Sequence, residues 1–127
     1  MSTAIKLNES IPLLDVDKIQ SIRQLSEPGD TEDFFTSLAM IFFDRAPNLL
    51  LKIKTAVDAN ESRDLETSAH ALKGSCGNLG ANHMAELCRQ LEENGRNKSN
   101  TGNTEILEEL NEVYTLTKAE LENVWLK

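Results

Sequence analysis

"LETSAHALKGSCGNL", residues 65–79, places its apolar residues at Leu65, Ala69, Leu72, Cys76 and Leu79. Alternating steps of four and three form one narrow seam along an α-helix, and such a seam has to face the core of a helical bundle. That direction sets where every other side chain of the helix points. At about 100° per residue, His70 lies roughly 140° from the seam centre, Gly74 about 180° and Gly77 about 120°, with Lys73 at the seam's edge near 80°. The histidine and both glycines therefore share the solvent face. A glycine inside a helix costs about 1 kcal/mol relative to alanine. Nothing in the packing of this helix against its own bundle requires Gly74 or Gly77. They make sense where another molecule has to approach: a strip of bare backbone beside an imidazole lets a partner bring a reacting group up to the ring.

The rest of the chain reads as helix former after helix former. A short helix over about 15–26 starts at the N-cap Asp15 and carries Val16, Ile19, Ile22 and Leu25 until "SEPGD" stops it. A second, over about 31–58, opens at Asp30 or Thr31 with Glu32 and Asp33 in its first turn. Its stripe is Phe35, Leu38, Phe42, Ala46, Leu49, Ile53 and Val57. Pro47 lies beside that stripe and is expected to kink the helix rather than end it, because the apolar pattern resumes in phase; two helices meeting there is the alternative.

After the turn "DANES" comes the helix over 62–79, then one over 82–94 with Met84, Leu87, Cys88 and Leu91, closed by Asn94 and Gly95 as a C-cap. The last helix, about 103–125, carries Leu107, Leu110, Tyr114, Leu121 and Val124 on one stripe, interrupted by Thr117. No run of alternating β-branched residues argues for strands. The expected fold is all-α: a single-domain antiparallel up-and-down four-helix bundle over 1–127, with an additional short N-terminal helix after a 1–14 extension.

The chain has 127 residues, enough for a core of its own, and carries 21 acidic against 13 basic residues, a net charge of −8. This charge leaves no electrostatic footprint for nucleic acid or an anionic membrane. "MSTAIKLNESIPLL" lacks the basic start and long apolar run of a signal peptide, and no segment reads as a membrane span, so a cytoplasmic, freestanding monomer is expected. Cys76 and Cys88 have no metal-ligand spacing and read as buried, reduced thiols; no metal site is expected.

Imidazole is a neutral nucleophile over much of the physiological pH range, able to take a phosphoryl group and release it. Lys73, one turn beyond His70, would attract the phosphoryl oxygens. An ion pair at about 4 Å in water is worth only about 1 kcal/mol, so Lys73 tunes the reaction and His70 decides it.

"AHALKGSCGNLGA", continuing into "LCRQLEENGR", closely resembles histidine-containing phosphotransfer (HPt) domains, whose motif runs His-x-Leu-Lys-Gly-Ser, small residues, then hydrophobic-Gly-Ala. The likeness extends from "LLDVDKI" through "FFDRAPNLL" to the last helix. It implies a histidine that accepts a phosphoryl group from a receiver-domain aspartate and passes it to another receiver, in a multistep two-component phosphorelay. On this resemblance His70 is the phosphoacceptor, Lys73 its electrostatic support, and Gly74 the clearance for the docking receiver, a surface to which the helix geometry adds Gly77. Ser75 is a small residue needed for close packing, and Arg96 holds a position where some members carry an arginine near the phosphohistidine. Cys76 replaces the commoner Ser or Ala. Glu92 stands where several members have Gln, so a carboxylate takes the place of an amide contact to the imidazole.

No cofactor is expected on this chain; Mg would come with the receiver's acidic pocket. No glycine-rich phosphate loop is present, so the chain is expected to be a carrier without kinase activity, fed by a phosphorylated partner. Phe34 or Phe43 on the second helix would give apolar contact around His70. The alternative function is a module that docks on receivers and sequesters them unphosphorylated. His83 reads as a surface residue, Arg96 equally as a helix C-terminal cap, and Trp125 as packing against the first helix or the bundle end.

Overall fold

The computed structural model describes residues 11–27, 29 and 33–126. Among these the chain is all-helical: α1 (Val16–Arg23), α2 (Phe34–Asp58), α3 (Ser62–Leu79), α4 (Asn82–Arg96) and α5 (Asn103–Glu120), the last running into a π-helical turn, Leu121–Trp125. Short connections turn the chain back after each long helix. α2 packs on α3, α3 on α4, α4 on α5, and α5 returns to α2, closing the expected bundle, while α1 lies against α2.

Local chemistry sets the ends. Asp15 caps α1, its carboxylate accepting from the Lys18 backbone N–H at 3.0 Å. Asp33 caps α2 in the same way, accepting from Thr36, so it precedes the first turn rather than lying in it. Asp30, Thr31 and Glu32, where a cap was expected, fall outside the described residues, as does most of the 1–14 extension. Residues 13 and 14 of that extension reach the core, with Leu14 buried. α3 ends at Gly80, whose φ of +90° favours glycine. The carbonyl of Gly80 accepts from the Asp15 backbone N–H at 2.8 Å, tying the start of α1 to the α3–α4 turn.

The seam on α3 holds: Leu65, Ala69, Leu72, Cys76 and Leu79 are all buried. Cys76 and Cys88 face each other as free thiols in the core; contact with Cys88 and burial push the Cys76 thiol up. α2 runs unbroken through Pro47, whose missing N–H falls on the exposed side. This helix is long and apolar enough, by length and composition, to cross a membrane. Here it is a core helix, burying Phe35, Phe42, Ala46, Leu49 and Ile53 of the expected stripe, while Leu38 and Val57 are only half-buried and Ala39, Leu50 and Ala56 go inside.

Three expectations differ from the structure. Val16 and Leu25 are exposed: α1 spans only Val16–Arg23, which leaves Leu25 beyond its end, and it buries only Ile19 and Ile22. On α5 the buried residues are Leu107, Leu110, Val113, Thr117 and then Leu121; Tyr114 is half-buried and Val124 is exposed. The wider π turn, closed by the Leu126 N–H to the Leu121 carbonyl at 2.9 Å, rotates Val124 out and brings Trp125 over the end of the bundle. Trp125 meets the Phe35 ring edge-on, and the Arg23 guanidinium lies over both rings while donating to the Trp125 carbonyl and pairing with Asp33 at 3.4 Å. α1, α2 and the C-terminal turn are pinned together there.

The third correction concerns Gly95. It does not cap α4, which continues through Arg96. It is buried against α3, where a Cβ would come within 2.6 Å of the Glu66 nitrogen and 2.7 Å of the Ser62 carbonyl oxygen. Gly95 lets the two helix backbones approach. Gly95→Ala is therefore expected to lower stability by about 1–2 kcal/mol, overpacking outweighing the roughly 1 kcal/mol gain in helix propensity, as read from urea midpoints. A stabilised variant would show that the helices can move apart at no cost.

Candidate phosphotransfer site

The wheel reading places His70, Gly74 and Gly77 on the open face of α3, and the structure puts them there. The His70 side chain is 69% exposed, and a Cβ on Gly74 or Gly77 would meet nothing within 4 Å. Beneath the ring, one residue of α4 organises the site. Glu92 is 5% exposed, and its Oε2 lies 2.8 Å from His70 Nδ1. Its Oε1 lies 2.5 Å from Lys73 Nζ, a close ion pair without the alignment of a hydrogen bond. Arg96, one turn further along α4, donates from Nη2 to Glu92 Oε2 at 3.2 Å and from Nε to Glu66 Oε2 on α3 at 3.2 Å.

The resemblance brought Lys73, Glu92 and Arg96 into question separately; the fold brings them together around one carboxylate. Burial raises the Glu92 carboxyl, and the ammonium of Lys73 and the ring of His70 beside it outweigh this, leaving it below the ordinary glutamate value. Glu92 is thus an anion at neutral pH. An ionised carboxylate only accepts, so His70 Nδ1 carries the proton of that bond. Nε2, the other ring nitrogen, has no hydrogen-bond partner among the described residues, and in the neutral ring it is the nitrogen that carries the lone pair.

Ser75 is half-buried, in a groove between α2 and α3 with Leu38, Ile41, Arg45 and Asn78. Further along the same seam a second groove of about 460 Å³ is walled by Leu51, Lys52, Thr67 and Ser68. Ile41, Arg45 and Leu51, all exposed, form the α2 flank of these grooves. Phe43 is not on it: half-buried, it packs on Phe42 and under Lys118 of α5. Phe34 is exposed at the first residue of α2.

Sequence reasoning misplaced His83, which is 2% exposed, with Nε2 3.3 Å from Glu109 Oε2 on α5. The signal was available, since His83 stands four residues before Leu87 on the buried side of α4. Glu66 was missed as the second anchor of Arg96, although it lies one turn before His70. Among the described residues no group of three or more His, Cys, Asp or Glu could hold a metal ion.

With this geometry in hand, comparison with known proteins gives the class. The model of the Hpt domain matches residues 37–124, and the chain belongs to that family. It is 25% identical over 112 residues to histidine-containing phosphotransfer protein 2 of Arabidopsis thaliana, covering 86% of this chain and 71% of that one. It is 24% identical over 102 residues to multistep phosphorelay regulator 1 of Schizosaccharomyces pombe, covering 80% of this chain and 34% of that one. In fold it is similar to histidine-containing phosphotransfer protein B of Pseudomonas aeruginosa, with a TM-score of 0.76 at 22% identity over 87% of this chain and 92% of that one. The corresponding protein of Medicago truncatula gives 0.74 at 24% identity, over 87% and 75%. A histidine phosphotransfer role in a phosphorelay follows from this membership; proteins of this family are phosphocarriers.

The low Glu92 value has a pH consequence with a definite sign. Its contribution to stability is present above the ordinary glutamate value of about 4.5 and is lost as pH falls through the lower folded value. Relative to Glu92→Gln, the wild type is expected to be more stable by about 1–3 kcal/mol at pH 7. That gap closes as the pH falls below about 4.5, measured by urea titration at a series of pH values; a gap independent of pH would mean that the carboxylate charge plays no part.

Proposed function

We propose that this chain carries a phosphoryl group on Nε2 of His70 between receiver-domain aspartates in a multistep two-component phosphorelay. The single observation that carries the reading is an exposed imidazole whose Nδ1 is engaged by a buried carboxylate, on the same open helix face as the bare backbone of Gly74 and Gly77. A receiver aspartyl phosphate approaches over that strip. The Nε2 lone pair forms the N–P bond as the P–O bond to the aspartate breaks, and the electron pair leaves on the carboxylate. Lys73, at the edge of the ring and 35% exposed, turns part of its charge toward the phosphoryl oxygens.

Mg is supplied by the receiver, and this chain contributes no ATP chemistry; it is half of a site that docking completes. The carrier works as a monomer in the cytoplasm. Mixed with a phosphorylated receiver and Mg, wild-type protein is expected to acquire acid-labile, alkali-stable label within minutes, and His70→Gln none. Binding without labelling, across a panel of receivers, would favour the sequestering module.

The docking surface is the α2 flank. Ile41 and Leu51 supply exposed apolar contact, and Arg45, which makes no ion pair among the described residues, supplies a cation for an acidic receiver group. Titration with an unphosphorylated receiver, followed by amide and methyl chemical shifts, is expected to perturb Gly74, Gly77, Ile41 and Leu51 while sparing Phe43. Shifts centred on α5 would refute this surface.

A further inference from the structure

The buried carboxylate does more than hold a ring in place. We infer that Glu92 keeps a proton on His70 Nδ1 through the whole transfer cycle and thereby sets the lifetime of the phosphoryl group; this rests on His70 being the phosphoacceptor.

Glu92 cannot readily turn away from the ring. Oε2 is shared by His70 and Arg96, Oε1 is engaged by Lys73, and Arg96 is held in turn by Glu66. The charged groups that face the ring from α3 and α4 are thus Glu92, Glu66, Lys73 and Arg96, two anions and two cations. α2 adds Arg45 and Lys52 only along the walls of its grooves with α3. With the fixed charges of α3 and α4 balanced, the directional Nδ1–H to Oε2 bond decides the state of the ring.

The bookkeeping of the step shows why this matters. The form of the ring that can react is the neutral one, with a proton on Nδ1 and the lone pair on Nε2. When Nε2 gives that pair to phosphorus and the Nδ1 proton stays, the product is a phosphoimidazolium cation, and its charge faces the Glu92 anion at hydrogen-bond distance. In the return step the N–P bond breaks, its electron pair goes back to Nε2, and the leaving group is a neutral imidazole. Had the proton been lost to solvent, the ring would have to leave as an imidazolate, a far poorer leaving group. A carboxylate at this place therefore keeps the phosphoryl group in its transferable, short-lived form at pH values where a free phosphoimidazole would have become inert. An amide cannot do this, because it offers no charge to balance the cation.

The test phosphorylates wild type and Glu92→Gln with phosphoramidate, a small phosphoryl donor that needs no receiver, and follows loss of the phosphoryl group by 31P NMR from pH 6 to pH 9. At pH 6 solvent protonates both rings, and the two lifetimes are expected to agree. Towards pH 9 the variant is expected to hold its phosphoryl group about threefold to tenfold longer, as the loss of one charge-assisted hydrogen bond implies. A structural defect alone would change the lifetimes alike at every pH. In parallel, 15N shifts of the unphosphorylated ring are expected to show the Nδ1–H tautomer in wild type and a mixture in the variant. Equal lifetimes across the range, or an Nε2–H tautomer in wild type, overturn the inference and leave His70 standing as the acceptor. Failure of wild type to take a phosphoryl group at His70 from phosphoramidate or from any receiver overturns the acceptor reading itself.

Discussion

The close approach of α3 and α4 at Gly95 is the constraint on which the site depends. Where a methyl group would collide with the backbone of Ser62 and Glu66, the absence of a side chain lets the two helices lie together. One turn to the N-terminal side, that proximity puts Glu92 beneath His70, and at the next residue Arg96 bridges back to Glu66. The network is assembled by main-chain distance before any polar contact is made. Its polar atoms only complete what the packing has set, which is why a residue with no chemistry of its own belongs to the account of the site.

The site itself is a pairing of opposites. The imidazole proposed as nucleophile is in solvent while the carboxylate bound to it is buried, so the ring stays open on one side while its Nδ1 is held on the other. Burying a lone carboxylate is costly, and here three partners from two helices compensate it. A strip of bare backbone at Gly74 and Gly77 shares the open face of α3 with the imidazole.

Different parts of this arrangement were readable to different degrees. The seam from Leu65 to Leu79 predicted the direction of His70, Gly74 and Gly77 correctly, because a helix is rigid enough for periodicity to carry direction across four turns. The stripe on α5 already shifted at Tyr114, where Val113 is buried instead, and it failed after Leu121, where one π turn changed the phase; periodicity carries no warning of that turn. His83 was misplaced by its residue type: a polar ring suggested the surface, although its position relative to Leu87 put it inside, where Glu109 receives it. Glycine commonly ends helices, so Gly95 reads as a cap in the sequence, and only the neighbouring helix shows that it is needed for approach.

The sequence by itself determined the helices, the face each presents and the identity of the one exposed imidazole with bare backbone beside it, since all of these follow from local spacing along a chain. It also carried the family motif in contiguous residues. Only the tertiary structure decided that Glu92, 22 residues beyond His70, holds Nδ1, that Lys73 and Arg96 converge on the same carboxylate, and that Ile41 rather than Phe43 lines the groove between α2 and α3. These are relations between helices, fixed by how closely and in what register the backbones pack, and spacing within any one helix does not contain them.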